Sequence, residues 1–307
     1  MRRHIFYFLV SIALMHQAAA QQKKVCFTID DLPVVNYGKA DITVDMEITT
    51  ILIASFNKYA IPAIGYVNER KLYSDRNLDD MKVALLKIWL EGGYELGNHT
   101  YSHPSYHKVS YDAFINDLIA GEKVTKPLAE GYGSKYHYFR HPYLHIGKTK
   151  ESADSLSMFL SEQGYVESPV TIDPDDYLFA KKYHVALING EQEVAKKVAQ
   201  LYLDHIERKI LYYENVSVAL FDRNMNHTLL LHANLLNADY LDEMAEIFQK
   251  HNYHFVSQTD VLEDKAYQTE ITKYGPWGIS WLDRWALSLG KAYVIKNDPQ
   301  VPDFIKK

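Results

Sequence analysis

The sequence predicts an α/β chain, a parallel sheet or (β/α) barrel in one domain with a helical, aromatic-rich extension at its C-terminal end. Three observations carry this. Short apolar, β-rich runs alternate with amphipathic helical runs from residue 25 to residue 256, which predicts right-handed βαβ units around a parallel sheet or barrel. Each cluster of Asp, His or Arg falls just after a predicted strand, and strand C-termini converge on one face in such folds. The 307 residues, 47% of them hydrophobic, suffice for one sizeable core.

The expected organisation is a leader over 1–20, the barrel over 21–261 and a packed extension over 262–307. Met1-Arg2-Arg3-His4 is a basic start, Ile5 to Met15 is apolar but short for a bilayer span, and Ala18-Ala19-Ala20 offers small residues for cleavage. This pattern reads as a secretory signal peptide, with an uncleaved anchor as the alternative. Removing it takes away Arg2 and Arg3 and no acid, so the balance moves from 33 − 39 = −6 to 31 − 39 = −8. The expected protein is exported, periplasmic or extracellular, without stable membrane insertion after cleavage. It lacks the basic excess that a nucleic-acid partner would call for. The single cysteine, Cys26, has no intramolecular partner and reads as a small hydrophobe in a buried strand.

Val25–Ile29 is almost wholly apolar, as in strands buried on both faces. It ends in Asp30-Asp31, two carboxylates that are costly there unless a cation is near. Ile42 to Tyr59 has helical periodicity, and Ile61 to Val67 is the next strand. Leu78 to Leu90 is a helix stopped by Gly92-Gly93. Gly93 to Asn98 is a short strand running into His99-Thr-Tyr-Ser-His103-Pro104. Two histidines at i and i+4 share one face of a helical turn and can close on one ion. Tyr111 to Glu130 reads as a helix and Tyr136 to Phe139 as a strand ending in Arg140-His-Pro-Tyr143. Ser152 to Gln163 is a helix, Tyr165 to Ile172 a strand, and Asp173-Pro-Asp-Asp-Tyr177 the loop after it. Glu191 to Tyr213 is an amphipathic helix, and Asn215 to Phe221 a short strand or buried extension. Thr228 to Leu231 is a strand ending in His232, Ala238 to Lys250 a helix and Tyr253 to Val256 the last strand. The tail carries Trp277, Trp281 and Trp285, read as packing aromatics in preference to a sugar platform.

One carboxylate with two imidazoles is a common set for a catalytic zinc. Asp31, His99 and His103 would supply it, and the ion would lower the pKa of water toward neutrality. Asp30 is placed to take the proton, and Arg140 offers a planar fork to the crowded carboxylates. His232 could protonate a leaving group, with Asp176 holding that imidazole protonated. His141 and His145 are expected to line the groove. His107 is read as outer-shell or exposed, and His137, His184, His205 and His254 as structural or surface residues.

These stretches resemble, in order, the five motifs of the polysaccharide deacetylases, carbohydrate esterase family 4, with the NodB-like homology domain. Thr28-Ile-Asp30-Asp31 is similar to the family's Thr-Phe-Asp-Asp, and His99-Thr-Tyr-Ser-His103-Pro104 to its His-Ser/Thr-x-x-His-Pro. Arg140-His-Pro-Tyr143 resembles Arg-x-Pro-Tyr, Asp173-Pro-Asp-Asp176-Tyr177 resembles Asp-x-x-Asp-Trp, and Leu230-Leu-His232 resembles Leu-x-His. The resemblance implies a distorted (β/α) barrel that hydrolyses N- or O-acetyl groups on glycans with Zn2+ or another divalent ion such as Co2+, Ni2+ or Mn2+. It implies Asp30 as general base, Arg140 as its orienter, and Asp31, His99 and His103 as metal ligands. His232 would be the general acid oriented by Asp176, and the Tyr143 backbone N–H would face the oxyanion. Tyr177 stands where Trp is usual, which leaves a smaller platform on the groove wall. The expected substrate is an acetylated glycan, N-acetylated amino sugars first. Alternatives are an O-acetyl esterase, a hydrolase of non-sugar amides, or a binding module without catalysis.

Overall fold

Lys23–Leu32 forms β1, the ten-residue strand on which the sheet is laid. The computed structural model describes residues 22–38 and 41–306, so the leader reading over 1–20 lies outside the described residues. β2 (Ile64–Val67), β5 (Glu95–Asn98), β6 (Tyr138–Phe139), β7 (Val166–Glu167) and β8 (His227–His232) complete the main path in the order β7-β6-β5-β2-β1-β8. Every pairing on it is parallel, and β9 (Tyr253–Phe255) joins the start of β1. A small antiparallel ribbon, β3 (Tyr73–Ser74) with β4 (Asn77–Leu78), lies apart. The sheet curls back on itself. Beyond β7, the Ile172 N–H donates to Thr228 O at 3.0 Å and Ile172 O accepts from Leu230 N at 3.0 Å, bridging to β8. This is the distorted (β/α) barrel that the resemblance implies, a curled form of the parallel sheet or barrel expected from the alternation of elements.

Helices α1 (Ile42–Tyr59), α2 (Asp80–Glu91), α5 (Lys150–Glu162) and α8 (Leu235–Lys250) agree in place with the periodic runs. α1 starts where the Asp41 carboxylate accepts from Thr43 N at 2.9 Å, an N-cap that satisfies an otherwise orphaned donor.

Four local expectations change. The helix read over 111–130 is two, α3 (Tyr111–Ala120) and α4 (Thr125–Gly131). Glu69 ends the continuity by accepting from Val124 N and Thr125 N at 3.0 Å each. The strand read over 165–172 shortens to β7, because Pro169 has no N–H for a ladder and Ser168 turns its hydroxyl toward Arg140. The stretch after Asp175 is helical, α6 (Asp176–Ile188). Asn215 to Phe221 is neither a strand nor a separate segment but the end of α7 (Gln192–Phe221). Val216, Ser217 and Leu220 are buried there while Val218 is exposed, a pattern that fits a helix and not a strand, in which 216, 218 and 220 would share a face.

The core runs without a break from Val25 on β1 to Ile305 near the end of the chain. α9 (Gln258–Leu262) packs on β1, and α10 (Trp281–Ser288) brings Trp281 and Trp285 into this core, whereas Trp277 stays 36% exposed. α11 (Asp303–Lys306) ends the described chain.

One close approach in the sheet bears directly on the site. A Cβ at Gly97 would lie 2.7 Å from the Tyr66 ring. The missing side chain lets that ring lie flat, 4.6 Å from the guanidinium carbon of Arg140. Gly97→Ala therefore forces Tyr66 off its position. We expect a loss of about 1–3 kcal/mol from overpacking, read as a lower urea midpoint, whereas an unchanged midpoint would show that the ring has room to move.

Candidate active site

Consecutive side chains on a regular strand point to opposite faces. Asp30 and Asp31 do not. The β1–β2 register runs from Ile29↔Gly65 to Leu32↔Val67, so β1 has one residue more than β2 across this interval. Such a bulge re-aims a side chain, and Asp31 sits in it with φ 63°. Both carboxylates thus reach the same imidazole nitrogen. His99 Nε2 is 3.8 Å from Asp30 Oδ2 and 3.6 Å from Asp31 Oδ1.

The histidines do not sit on a helical turn, as the i,i+4 spacing suggested. His99 to His103 is an irregular loop after β5, with Thr100 at φ 67° and His103 at φ 57°. The Asn98 side chain accepts from Thr100 N at 2.7 Å, and Thr100 Oγ1 accepts from His103 N at 3.1 Å. These local bonds replace a helix and still bring the two rings to 4.7 Å between centroids. His103 Nε2 is 3.6 Å from Asp31 Oδ1.

The donor set fits a divalent cation. Coordinating atoms of Asp31, His99 and His103 lie within 4.8 Å of one another. Asp31 Oδ1 is buried without a hydrogen-bond partner among the described residues, which is costly for a charged oxygen unless something else meets it. His99 Nδ1 donates to the Arg140 carbonyl at 2.8 Å, which fixes the tautomer and turns the Nε2 lone pair toward Asp31, as a ligating imidazole requires. Burial lowers the pKa of both imidazoles, so both are neutral near pH 7.

Asp30 is held differently. Arg140, fully buried, donates from Nη1 to its two oxygens at 3.1 and 3.3 Å. Arg140 is itself fixed by Ser168 O at 2.8 Å, Ser168 Oγ at 3.2 Å and Thr28 Oγ1 at 3.0 Å. Burial pushes the Asp30 carboxyl up to about 6 although Arg140 and His232 pull it down. Burial alone would raise Asp31 too, but Lys71, with the two histidines, holds it well below the usual carboxylate range. The Lys71 ammonium lies 3.7 Å from Asp31 Oδ2 and donates to the Asp31 and Val34 carbonyls at 2.8 and 3.2 Å.

His232 ends β8 opposite Asp30 in register. Its Nδ1 is 2.7 Å from Asp176 Oδ1. The other Asp176 oxygen accepts from His232 N, Asn234 Nδ2 and Asn237 Nδ2 at 2.9, 3.1 and 2.6 Å. Burial would lower the imidazole pKa, but Asp176 outweighs it and raises it to about 9.

A cleft of about 590 Å³ joins these groups and is lined by Asp30, Asp31, His103, Tyr143, Tyr177 and His232, with His141 and His145 on its wall. Tyr143 is 55% exposed and sets its ring 4.5 Å from that of His103. Tyr177 is 47% exposed and 6.4 Å from the His232 ring. His107 is buried and stacks on His145 at 3.8 Å. Sequence reasoning did not single out Lys71, Tyr37, Lys209 or Gly278. Tyr37 and Gly278 line the cleft, and buried Lys209 pairs with Asp175 at 3.5 Å and Asp298 at 2.7 Å. Only the apolar context of Lys209 on a helix, four residues from Tyr213 and three from Ile206, hinted at its burial.

The His232–Asp176 pair has a defined pH signature. Its folded pKa is above the ordinary imidazole value, so its stabilisation is complete below about pH 6.5 and fades as pH rises toward 9. In metal-free protein, NMR should show His232 titrating near pH 9. In Asp176→Asn, with burial left and the counter-charge gone, it should titrate below about 6.5. An unchanged value in the variant would assign the shift to another group.

Residues 17–158 match the family model described as polysaccharide deacetylase. A peptidoglycan-N-acetylglucosamine deacetylase of Bacillus cereus is 26% identical over 147 residues, 46% of this chain and 48% of that protein, so the chain matches about half the length of this curated relative. Among solved structures, a peptidoglycan N-acetylglucosamine deacetylase bound to a hydroxamate-type benzamide is similar at TM-score 0.53 and 17% identity, covering 78% of this chain and 88% of that one. Peptidoglycan deacetylase PdaC of Bacillus subtilis, as a mutant, is similar at TM-score 0.50 and 20% identity, covering 81% and 94%. A CE4 family pseudoenzyme from Bacillus anthracis is similar at TM-score 0.50 and 18% identity, covering 79% and 66%. These structural likenesses establish the fold. Residues 17–158, a little under half of the chain, are in addition similar to the polysaccharide deacetylase family model.

Proposed function

We propose that the chain is an exported, divalent-metal-dependent hydrolase that removes acetyl groups from a glycan, N-acetylated amino sugars being the substrate class. The observation that carries this is the convergence of Asp31, His99 and His103 around an unpartnered carboxylate oxygen, in a cleft that also holds Asp30 and His232. Relatives and neighbours with a deacetylase name support the substrate class, and export rests on residues 1–20.

Asp31, His99 and His103 would hold the cation. When bound, a zinc-class ion supplies Lewis acidity, acidifying water and polarising a carbonyl. Asp30 accepts the proton of the water that adds to the acetyl carbonyl. A carboxylate with pKa about 6 suits this near neutral pH, and Arg140 keeps it aimed. The Tyr143 backbone N–H faces the oxygen on which charge develops. His232, held protonated by Asp176, passes a proton to the departing nitrogen as the C–N bond breaks, which yields acetate and a free amine. Tyr177 offers a ring face to the sugar on the opposite rim.

A binding role without turnover is the second reading, prompted by the pseudoenzyme neighbour. Asp30, Arg140, Asp176 and His232 in their hydrogen-bonded arrangement favour catalysis.

The test is acetate release by zinc-loaded protein from chitooligosaccharides, peptidoglycan fragments and acetylxylan. Release from an N-acetylated substrate is expected, and none from any of them with zinc bound would overturn the proposal. Asp30→Asn should keep zinc and lose at least ~100-fold in turnover, whereas His99→Ala should lose both zinc and turnover. Equal zinc loss in the two would refute the division of labour between Asp30 and Asp31.

A further inference from the structure

We propose that Arg284 and Gly278, from the segment after the barrel strands, are positioning residues for hydrolysis: they brace the Tyr143–Leu144 turn whose N–H faces the developing oxyanion. The inference rests on the role given to Tyr143 above.

Two consecutive residues of this turn, Tyr143 at φ 57° and Leu144 at φ 54°, lie in the left-handed region. Residues with a Cβ avoid that region and stay there only where their surroundings hold them. Within the turn, Leu144 N donates to His141 O at 3.0 Å and His145 N to Pro142 O at 3.1 Å. The remaining restraint comes from far along the chain. Arg284 Nη2 donates to Leu144 O at 2.7 Å and to Trp277 O at 3.0 Å. One guanidinium thus ties the turn to the residue before Gly278. At Gly278 a Cβ would lie 2.3 Å from Tyr143 O and 3.3 Å from His145 Nε2, so this glycine backbone rests directly against the turn and lines the cleft.

The chemistry of Arg284 points the same way. It is fully buried on α10 and pairs with no carboxylate among the described residues. Its Nε and Nη1 have no hydrogen-bond partner among the described residues. A buried charge in this state is costly, and an apolar side chain of similar volume would cost the fold less. The side chain's hydrogen bonds go to two carbonyls, and one of them belongs to the turn. On the other side of the turn, His145 Nδ1 meets Ser105 Oγ at 2.9 Å and its ring stacks on His107. The turn is therefore clamped between the loop after β5 and the C-terminal segment.

The test uses full-length, zinc-loaded Arg284→Met, Arg284→Lys and Gly278→Ala. Readouts are kcat and KM on a chitooligosaccharide, the thermal midpoint, zinc affinity, and amide exchange over residues 142–147. In Arg284→Met we expect kcat to fall about 10–100-fold, as for a displaced catalytic donor. KM should stay within about threefold, zinc affinity should be unchanged and the thermal midpoint should be equal or higher. Exchange over the turn should quicken. Arg284→Lys, which can still donate to Leu144 O, should recover part of kcat, and Gly278→Ala should lower kcat and quicken exchange. Wild-type kcat and exchange in Arg284→Met and Gly278→Ala would overturn the inference. So would a kcat loss that tracks a falling midpoint and is not eased by Lys. If the wild-type protein releases no acetate, the proposed function fails, and exchange alone decides the brace: unchanged exchange overturns it, faster exchange sustains it.

Discussion

Two adjacent carboxylates buried at one strand end repel each other and lose hydration, and the cost is met only if each has its own cation. Everything around the end of β1 follows from that constraint. The bulge turns Asp30 and Asp31 toward one cleft, and the surroundings then separate them chemically. Arg140 takes Asp30 with a buried fork. Lys71 stands by Asp31, yet Asp31 Oδ1 meets no hydrogen-bond donor among the described residues, with two neutral imidazoles facing it. The outcome is one carboxyl poised near pH 6 and one held ionised. Pairs of acids with values pushed apart by environment are a recurring way to divide work between neighbouring residues.

The fold serves this division through the sheet. Gly97 makes room for Tyr66, and Tyr66 lies against Arg140 and reaches Ser168 Oγ at 2.5 Å. Arg140 in turn holds Asp30, and its carbonyl sets the tautomer of His99. One buried arginine therefore organises both a candidate proton acceptor and a candidate ligand. The register partner of Asp30 on β8 is His232, which places the two candidate proton-transfer residues side by side at neighbouring strand ends.

The strand–helix alternation was readable in the sequence because buried parallel strands are continuous apolar runs and their helices are amphipathic. Clusters after strands were readable for the same reason. Asp30, Asp31, His99, His103, Tyr143, Tyr177 and His232 all meet at one cleft or its edge. Backbone detail was not readable. The i,i+4 histidines suggested a helix, but Thr100 and His103 take left-handed backbone and side-chain hydrogen bonds that no periodicity reports. Long-range partners were equally hidden. Nothing in the local pattern of Lys71, Lys209 or Arg284 says which carbonyl or carboxylate it meets 34 to 140 residues away. The run from Asn215 to Phe221 could be read as a short strand or a buried extension, and the structure makes it the latter, the end of α7 with buried positions on the helical period.

The assignment of Asp31 to the cation and of Asp30 to Arg140 is open to a crystal structure of the zinc-soaked protein. We expect one zinc bound by Asp31, His99 Nε2 and His103 Nε2 at about 2.0–2.2 Å, with Asp30 still on Arg140. Zinc coordinated by Asp30, or zinc absent from these three residues at saturating concentration, would contradict it.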